Sequence, residues 1–71
     1  MFYLIEITTY NNGTADAYGV YAKSTLDAAT ATFHQKMAGA INNTTYASEM
    51  CMIISETGAT MRFERWERAA E

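Results

Sequence analysis

One histidine, one cysteine and a C-terminal run of arginines are where the chain carries most of its chemical potential. His34 sits at the flank of an apolar helical stripe, beside Asp27 and Ala38. A general base needs an acid, a nucleophile or an orienting partner within hydrogen-bond reach. Asp27 lies two turns earlier on the same helix, too far for direct contact. His34 therefore reads as a boundary residue with a structural hydrogen bond. Cys51 falls inside a predicted strand, alternating with Glu49 and Ile53. To act as a Cys–His nucleophile pair, Cys51 and His34 would have to meet across sheet and helix, and no glycine cluster near either suggests an oxyanion hole. A small buried strand residue is the simpler reading of Cys51.

Metal chemistry fares no better at this level, since one cysteine and one histidine fall short of the three or four ligands zinc takes, unless subunits share a site. No recognisable motif places a pair of carboxylates for acid–base work. Gly13 and Gly58 belong to turns, Gly19 to a strand and Gly39 to a helix end, with no phosphate-cradling pattern among them. The expectation is a chain without catalytic residues, cofactor or metal.

Arg62, Arg65 and Arg68 interleave with Phe63 and Trp66, as cations and aromatics do in single-strand binders. On a strand, however, Arg62 and Arg65 point to opposite faces, and Glu64 and Glu67 cancel the field; with Glu71 the tail is neutral overall. The formal net charge is −3, the wrong sign for a dedicated nucleic-acid binder. An ion-paired terminal strand that guards a sheet edge fits better. Trp66 is either an interface anchor or packs against Phe2 or Leu4.

The elements that would position these residues follow from patterning. Phe2–Tyr10 and Ala15–Ala22 are rich in aromatic and β-branched residues, and Asn12-Gly13 between them is a type I′ hairpin signal. A two-residue loop there sets Ile7 opposite Tyr18, Ile5 opposite Val20 and Tyr3 opposite Ala22. Ser48–Ser55 and Thr60–Glu67 form a second hairpin around Thr57-Gly58, pairing Ile54 with Met61 and Met52 with Phe63. A four-residue loop is the near alternative, and a slip of one residue would exchange the faces. Ser24 to about Ile41 is the one helix, with Ser24 as N-cap and Asp27 completing a capping-box variant. Its core stripe is Leu26, Ala29, Phe33, Met37 and Ala40. The fold expected is a single α+β domain, ββαββ, with a four-stranded antiparallel sheet in order 2-1-3-4 and the helix on one face. Met50, Met52, Ile54, Met61 and Phe63 are expected on the core face.

Seventy-one residues make one small domain, which buries only roughly 60% of its unfolded surface and often gains from oligomerisation. A lone thiol excludes an intrachain disulfide and suits a reducing compartment. No apolar run approaches the ~20 residues of a membrane span, and the first residues lack the basic region of a signal peptide. A soluble cytoplasmic protein is expected.

Two faces lack the polar cover they should have. On the helix, Ala28, Ala31, Gln35 and Ala38 stand where a surface helix places long charged residues. On the sheet, Phe2, Leu4, Tyr21, Ile53 and Trp66 share the face expected to lie away from the helix. Either would bury itself against a second copy, so a homo-oligomer, most simply a dimer, is expected. A host or phage protein is the other candidate partner.

Tyr3-Leu4-Ile5-Glu6-Ile7, Phe33-His34, Lys36-Met37-Ala38-Gly39-Ala40 and Met52-Ile53-Ile54-Ser55-Glu56-Thr57-Gly58 together resemble short uncharacterised proteins of prophages and mobile elements of gut-associated Firmicutes. The resemblance spans most of the chain, rests on pattern, and transfers no functional residue. It implies a phage or mobile-element setting, in which the self-associating, protein-binding module read from the two faces would be a small accessory or structural protein. The rivals are an inhibitor of a bacterial defence protein, anti-CRISPR-like, occupying a basic groove, and a small enzyme or ligand-binding subunit with its site at a subunit interface.

Overall fold

The computed structural model describes residues 1–69; Glu71 of the mixed-charge tail lies outside the described residues. The elements are β1 (Phe2–Tyr10), β2 (Ala17–Lys23), α1 (Leu26–Asn42), β3 (Tyr46–Ser55) and β4 (Thr60–Glu67). The four strands form one antiparallel sheet in order β2-β1-β3-β4, with α1 packed on it. This is the expected ββαββ arrangement.

In the first hairpin Tyr3 faces Ala22, Ile5 faces Val20 and Ile7 faces Tyr18, as the Asn-Gly spacing predicts. The turn itself is wider. Pairing stops at Thr8 and Ala17, and positive φ occurs at Gly13 but at no non-glycine residue described, so Asn12 is not half of a type I′ turn. Its side chain instead accepts the Thr14 N–H at 3.1 Å, a local Asx turn that competes with the tight hairpin. The second hairpin closes on a three-residue loop, Glu56-Thr57-Gly58, between the two lengths expected. The Ser55 N–H donates to the Ala59 carbonyl at 2.9 Å, and Gly58 supplies the left-handed φ of 91°. Met52 still faces Phe63, but Ile54 faces Thr60 rather than Met61, because a register shift after Ile53 absorbs the longer loop.

The N-cap of α1 is Thr25, not Ser24: its Oγ1 accepts the Ala28 N–H at 3.1 Å. β2 runs to Lys23, so both Ser24 and Thr25 are needed to turn the chain off the strand. Of the predicted stripe the helix buries Ala29, Phe33, Met37 and Ala40, while Leu26 in its first turn is partly buried against the core. At its far end Arg68 reaches over from the tail. Its Nε donates to the Tyr46 carbonyl at 2.9 Å and its Nη2 to the Asn43 carbonyl at 2.9 Å, placing a cation against the negative end of the helix.

The sheet face that α1 covers is the reverse of the one expected. Leu4, Cys51 and Ile53 are fully buried with Phe33 and Ala29, and Phe2, Tyr21, Leu26 and Trp66 pack around them. The cause is chirality rather than hydrophobic count. β2 and β3 both run antiparallel to β1 and therefore parallel to each other, so β2–α1–β3 is a crossover connection, and such connections are right-handed. The Glu56 N–H donates to the Met1 carbonyl at 3.1 Å, which makes Phe2 and Ser55 a non-hydrogen-bonded pair. The helix-face residues of β1 thus exchange their bonds with β2, as a right-handed crossover requires. Apolar patterning marks the other face as the richer one, but the hand of the chain puts the helix here.

Candidate functional site

Two features follow from that inversion. The first is the sheet face that α1 leaves bare. Ladders of Tyr3, Ile5 and Ile7 on β1, Tyr18, Val20 and Ala22 on β2, and Met50, Met52 and Ile54 on β3 share it with Phe63 of β4. Tyr18 is 82% exposed, Val20 66% and Phe63 56%. Among the described residues the charges at its β4 corner are Arg65 and Glu67, paired to each other at 3.1 Å. An apolar face of this extent is far more than the scattered exposed residues of an ordinary monomer.

The second is a polar nest under the helix. Antiparallel register sets Glu6 opposite Cys51 and Thr8 opposite Glu49, so all four point to the covered face. Donor atoms of Glu6, Glu49 and Cys51 lie within 4.8 Å of one another. Each carboxylate is held by one oxygen. Thr8 Oγ1 donates to Glu49 Oε1 at 2.5 Å, and Tyr21 Oη donates to Glu6 Oε1 at 3.2 Å. Gly19 makes the second bond possible: it faces Glu6, and a Cβ there would stand 3.2 Å from the Tyr21 hydroxyl. Lys36 of α1 completes the group, 3.3 Å from Tyr21 Oη and 3.7 Å from Glu6 Oε1, with its ammonium 4.6 Å from the centre of the Tyr21 ring.

Glu49 has no accessible surface, and its Oε2 meets no hydrogen-bond donor among the described residues. Burial first, and then the neighbouring Glu6 carboxylate, push its carboxyl up to about 8. At neutral pH Glu49 therefore carries a proton. Burial likewise pushes the Cys51 thiol up to about 12, with the Glu49 and Glu6 charges adding to the effect, so Cys51 is no nucleophile at neutral pH. The bond that Lys36 Nζ donates to Tyr21 Oη is the main reason the Lys36 ammonium titrates above its ordinary value. Glu6 also borders a pocket of about 420 Å³, walled by Thr8, Tyr10, Tyr21, Lys36, Gly39 and Tyr46 among others.

The residues singled out from sequence distribute as follows. Ala28, Ala31, Gln35 and Ala38 are exposed on the outer side of α1. Phe2, Leu4, Tyr21, Ile53 and Trp66 are not a free surface: Leu4 and Ile53 are fully buried beneath the helix and the other three pack against that core. Trp66 thus takes its packing role, with Arg68 stacked 4.8 Å from its ring. His34 is exposed, edge-on to Phe33 at 5.6 Å, and no hydrogen bond joins it to Cys51. Arg62 stands over Phe33 on the helix face, whereas Arg65 is on the bare face, so the arginines form no continuous basic strip.

Sequence reading missed the Glu6–Glu49–Cys51 group because nothing local sets the β1–β3 register. Those strands are joined through β2 and a whole helix. Glu6 and Cys51 could have been aligned only by pairing the centre of one strand with the centre of the other. Among the described residues no helix is long and apolar enough to cross a membrane. No protein-family model, no curated protein and no solved structure matches the chain, so what it does is argued from this geometry.

Proposed function

We propose that the chain is a non-enzymatic, self-associating protein-binding module, and that its contact surface is the bare face of the sheet packed against a second copy. The observation that carries this reading is the size and neutrality of that face. Ile7, Tyr18, Val20 and Phe63 lie on it together, at 38%, 82%, 66% and 56% exposure, and the molecule's longer extents of 39 and 19 Å give the sheet room for an interface of the ~800 Å² class. Two antiparallel sheets stack face to face in this way to make a sandwich core about 10 Å thick. A nearly charge-free, self-complementary patch suits the two-fold symmetry of a homodimer, since nothing on it repels its own copy. A β-sheet with a helix on one side has half a core, and a second copy supplies the missing layer.

The structure gives less support to a charge-driven inhibitor of a defence protein. Of the acids in the body of the chain, Glu49 is buried, Glu6 is held under Lys36 and Tyr21, and Glu56 is paired with the N-terminal amine at 2.7 Å. In the phage or mobile-element setting that the resemblance implies, the assembling unit would serve as a small accessory or structural protein in the host cytosol. Sedimentation equilibrium across a dilution series tests the reading. A mass of twice 7.9 kDa, falling toward the protomer only at high dilution, supports it. A protomer mass at every concentration removes it.

A further inference from the structure

We propose that Glu6, Glu49 and Cys51 form a binding site for one divalent transition cation of the zinc class, seated between β1 and β3 beneath the helix. The inference is independent of self-association. Three donor side chains converge within 4.8 Å, and a tetrahedral zinc site spaces its donors by about 3.3–3.8 Å, so a contraction of about 1 Å around the cation completes the site. The second observation is Glu49 itself. It is wholly buried, Thr8 fixes its Oε1, and its Oε2 is left without a donor. Glu6 is arranged alike, its hydrogen bond and its ion pair both falling on Oε1. Partners that orient one oxygen of a carboxylate and leave the other free are what a metal ligand requires of its surroundings.

The donor set selects the cation. A thiolate beside two carboxylates is too soft for Mg²⁺ or Ca²⁺ and too oxygen-rich for Cu⁺, which leaves Zn²⁺ or Co²⁺. Three anionic donors around a dication leave one negative charge, and the Lys36 ammonium, 3.7 Å from Glu6, offsets it. Of the three donors Glu6 borders the neighbouring pocket while Glu49 and Cys51 are fully buried, so the cation would be reached from the Glu6 side. Binding displaces one proton from Glu49 and one from Cys51, both released to solvent, and forms one metal–oxygen bond and one metal–sulfur bond in their place.

The test is titration of the metal-free, full-length chain with Co²⁺, followed by Zn²⁺. The expected result is a one-to-one complex with intense tetrahedral cobalt bands and a near-ultraviolet sulfur-to-cobalt band, all abolished by Zn²⁺. Cys51→Ser should lose the sulfur band. Glu49→Gln should weaken binding by at least about a hundredfold while circular dichroism shows the fold retained. His34→Ala should leave the titration unchanged. A cobalt spectrum that stays that of the hydrated ion overturns the proposal, as does binding that lacks the sulfur band or disappears in His34→Ala. The wild-type spectrum decides the matter even if the Cys51 variant does not fold.

Discussion

Glu49→Gln is expected to leave stability unchanged in acid and to raise it in base, unlike most substitutions of a fully buried residue. Glutamine keeps the shape of a protonated glutamic acid. Its carbonyl oxygen can accept from Thr8 Oγ1 as Glu49 Oε1 does at 2.5 Å, and its N–H can donate to the Glu6 carboxylate. The sign follows from linkage. The Glu49 carboxyl is raised from 4.5 in the unfolded chain to about 8 in the fold, so the folded state holds the proton more tightly. The stability this confers is complete below pH 4.5, is lost progressively as pH rises, and is gone above about 8. The difference, 8 − 4.5 = 3.5 pH units, corresponds to a ceiling of about 5 kcal/mol at roughly 1.4 kcal/mol per unit. Relaxation and water entry reduce this, so about 2–4 kcal/mol is expected. That is a large share of the ~5–15 kcal/mol that holds a domain folded. Urea unfolding of both proteins from pH 5 to 9, at one fixed protein concentration and with a chelator present, measures it. The wild type should weaken steadily across the range while the variant stays nearly level, so that the curves diverge toward pH 8. Parallel curves, or a variant weaker by the same amount at every pH, would refute the proton assignment.

Two further substitutions probe the ends of the helix. Thr25→Ala removes the oxygen that accepts the Ala28 N–H and should cost about 1 kcal/mol by urea unfolding, whereas Ser24→Ala should cost no more than a few tenths. Arg68→Met keeps an apolar stem against Trp66 but removes the donors to the Tyr46 and Asn43 carbonyls. A loss of about 1–2 kcal/mol is expected, with faster amide exchange at Asn43–Tyr46 than in the strands.

The parts of this fold legible in the sequence are those that local spacing fixes. Asn12-Gly13 sets the register of β1 on β2 although its own turn is not the tight one predicted, and Thr57-Gly58 sets Met52 opposite Phe63 despite the longer loop. The stripe from Ala29 to Ala40 gives the buried side of the helix at once. What local spacing cannot decide is which side of a two-faced apolar sheet the helix covers. Tyr3, Ile5, Val20, Met52 and Phe63 look more like a core than Leu4, Glu6, Thr8, Glu49 and Cys51 do. Hydrophobic counting therefore assigns the first set to the interior. The crossover between parallel β2 and β3 has a fixed hand, and it buries the second set. That one step explains both misplacements: Phe2, Leu4, Tyr21, Ile53 and Trp66 became core instead of contact surface, and two glutamates came to lie beneath a helix. The bare face kept its apolar residues, and it is on them that the proposed self-association rests.

Light scattering on face-directed variants tests that central claim most directly, because it separates the sheet face from the alanine-rich side of the helix. Val20→Lys and Phe63→Lys place a charge on the bare face, one on each edge strand of the sheet, at positions 66% and 56% exposed in the protomer, where they disturb no internal packing. Ala31→Lys does the same on the outer side of α1. The account predicts a dimer for the wild type and for Ala31→Lys, and folded protomers of 7.9 kDa for Val20→Lys and Phe63→Lys at the same concentration. Dimers that survive both sheet variants and dissociate in Ala31→Lys would contradict it, and so would a wild type that is a protomer throughout.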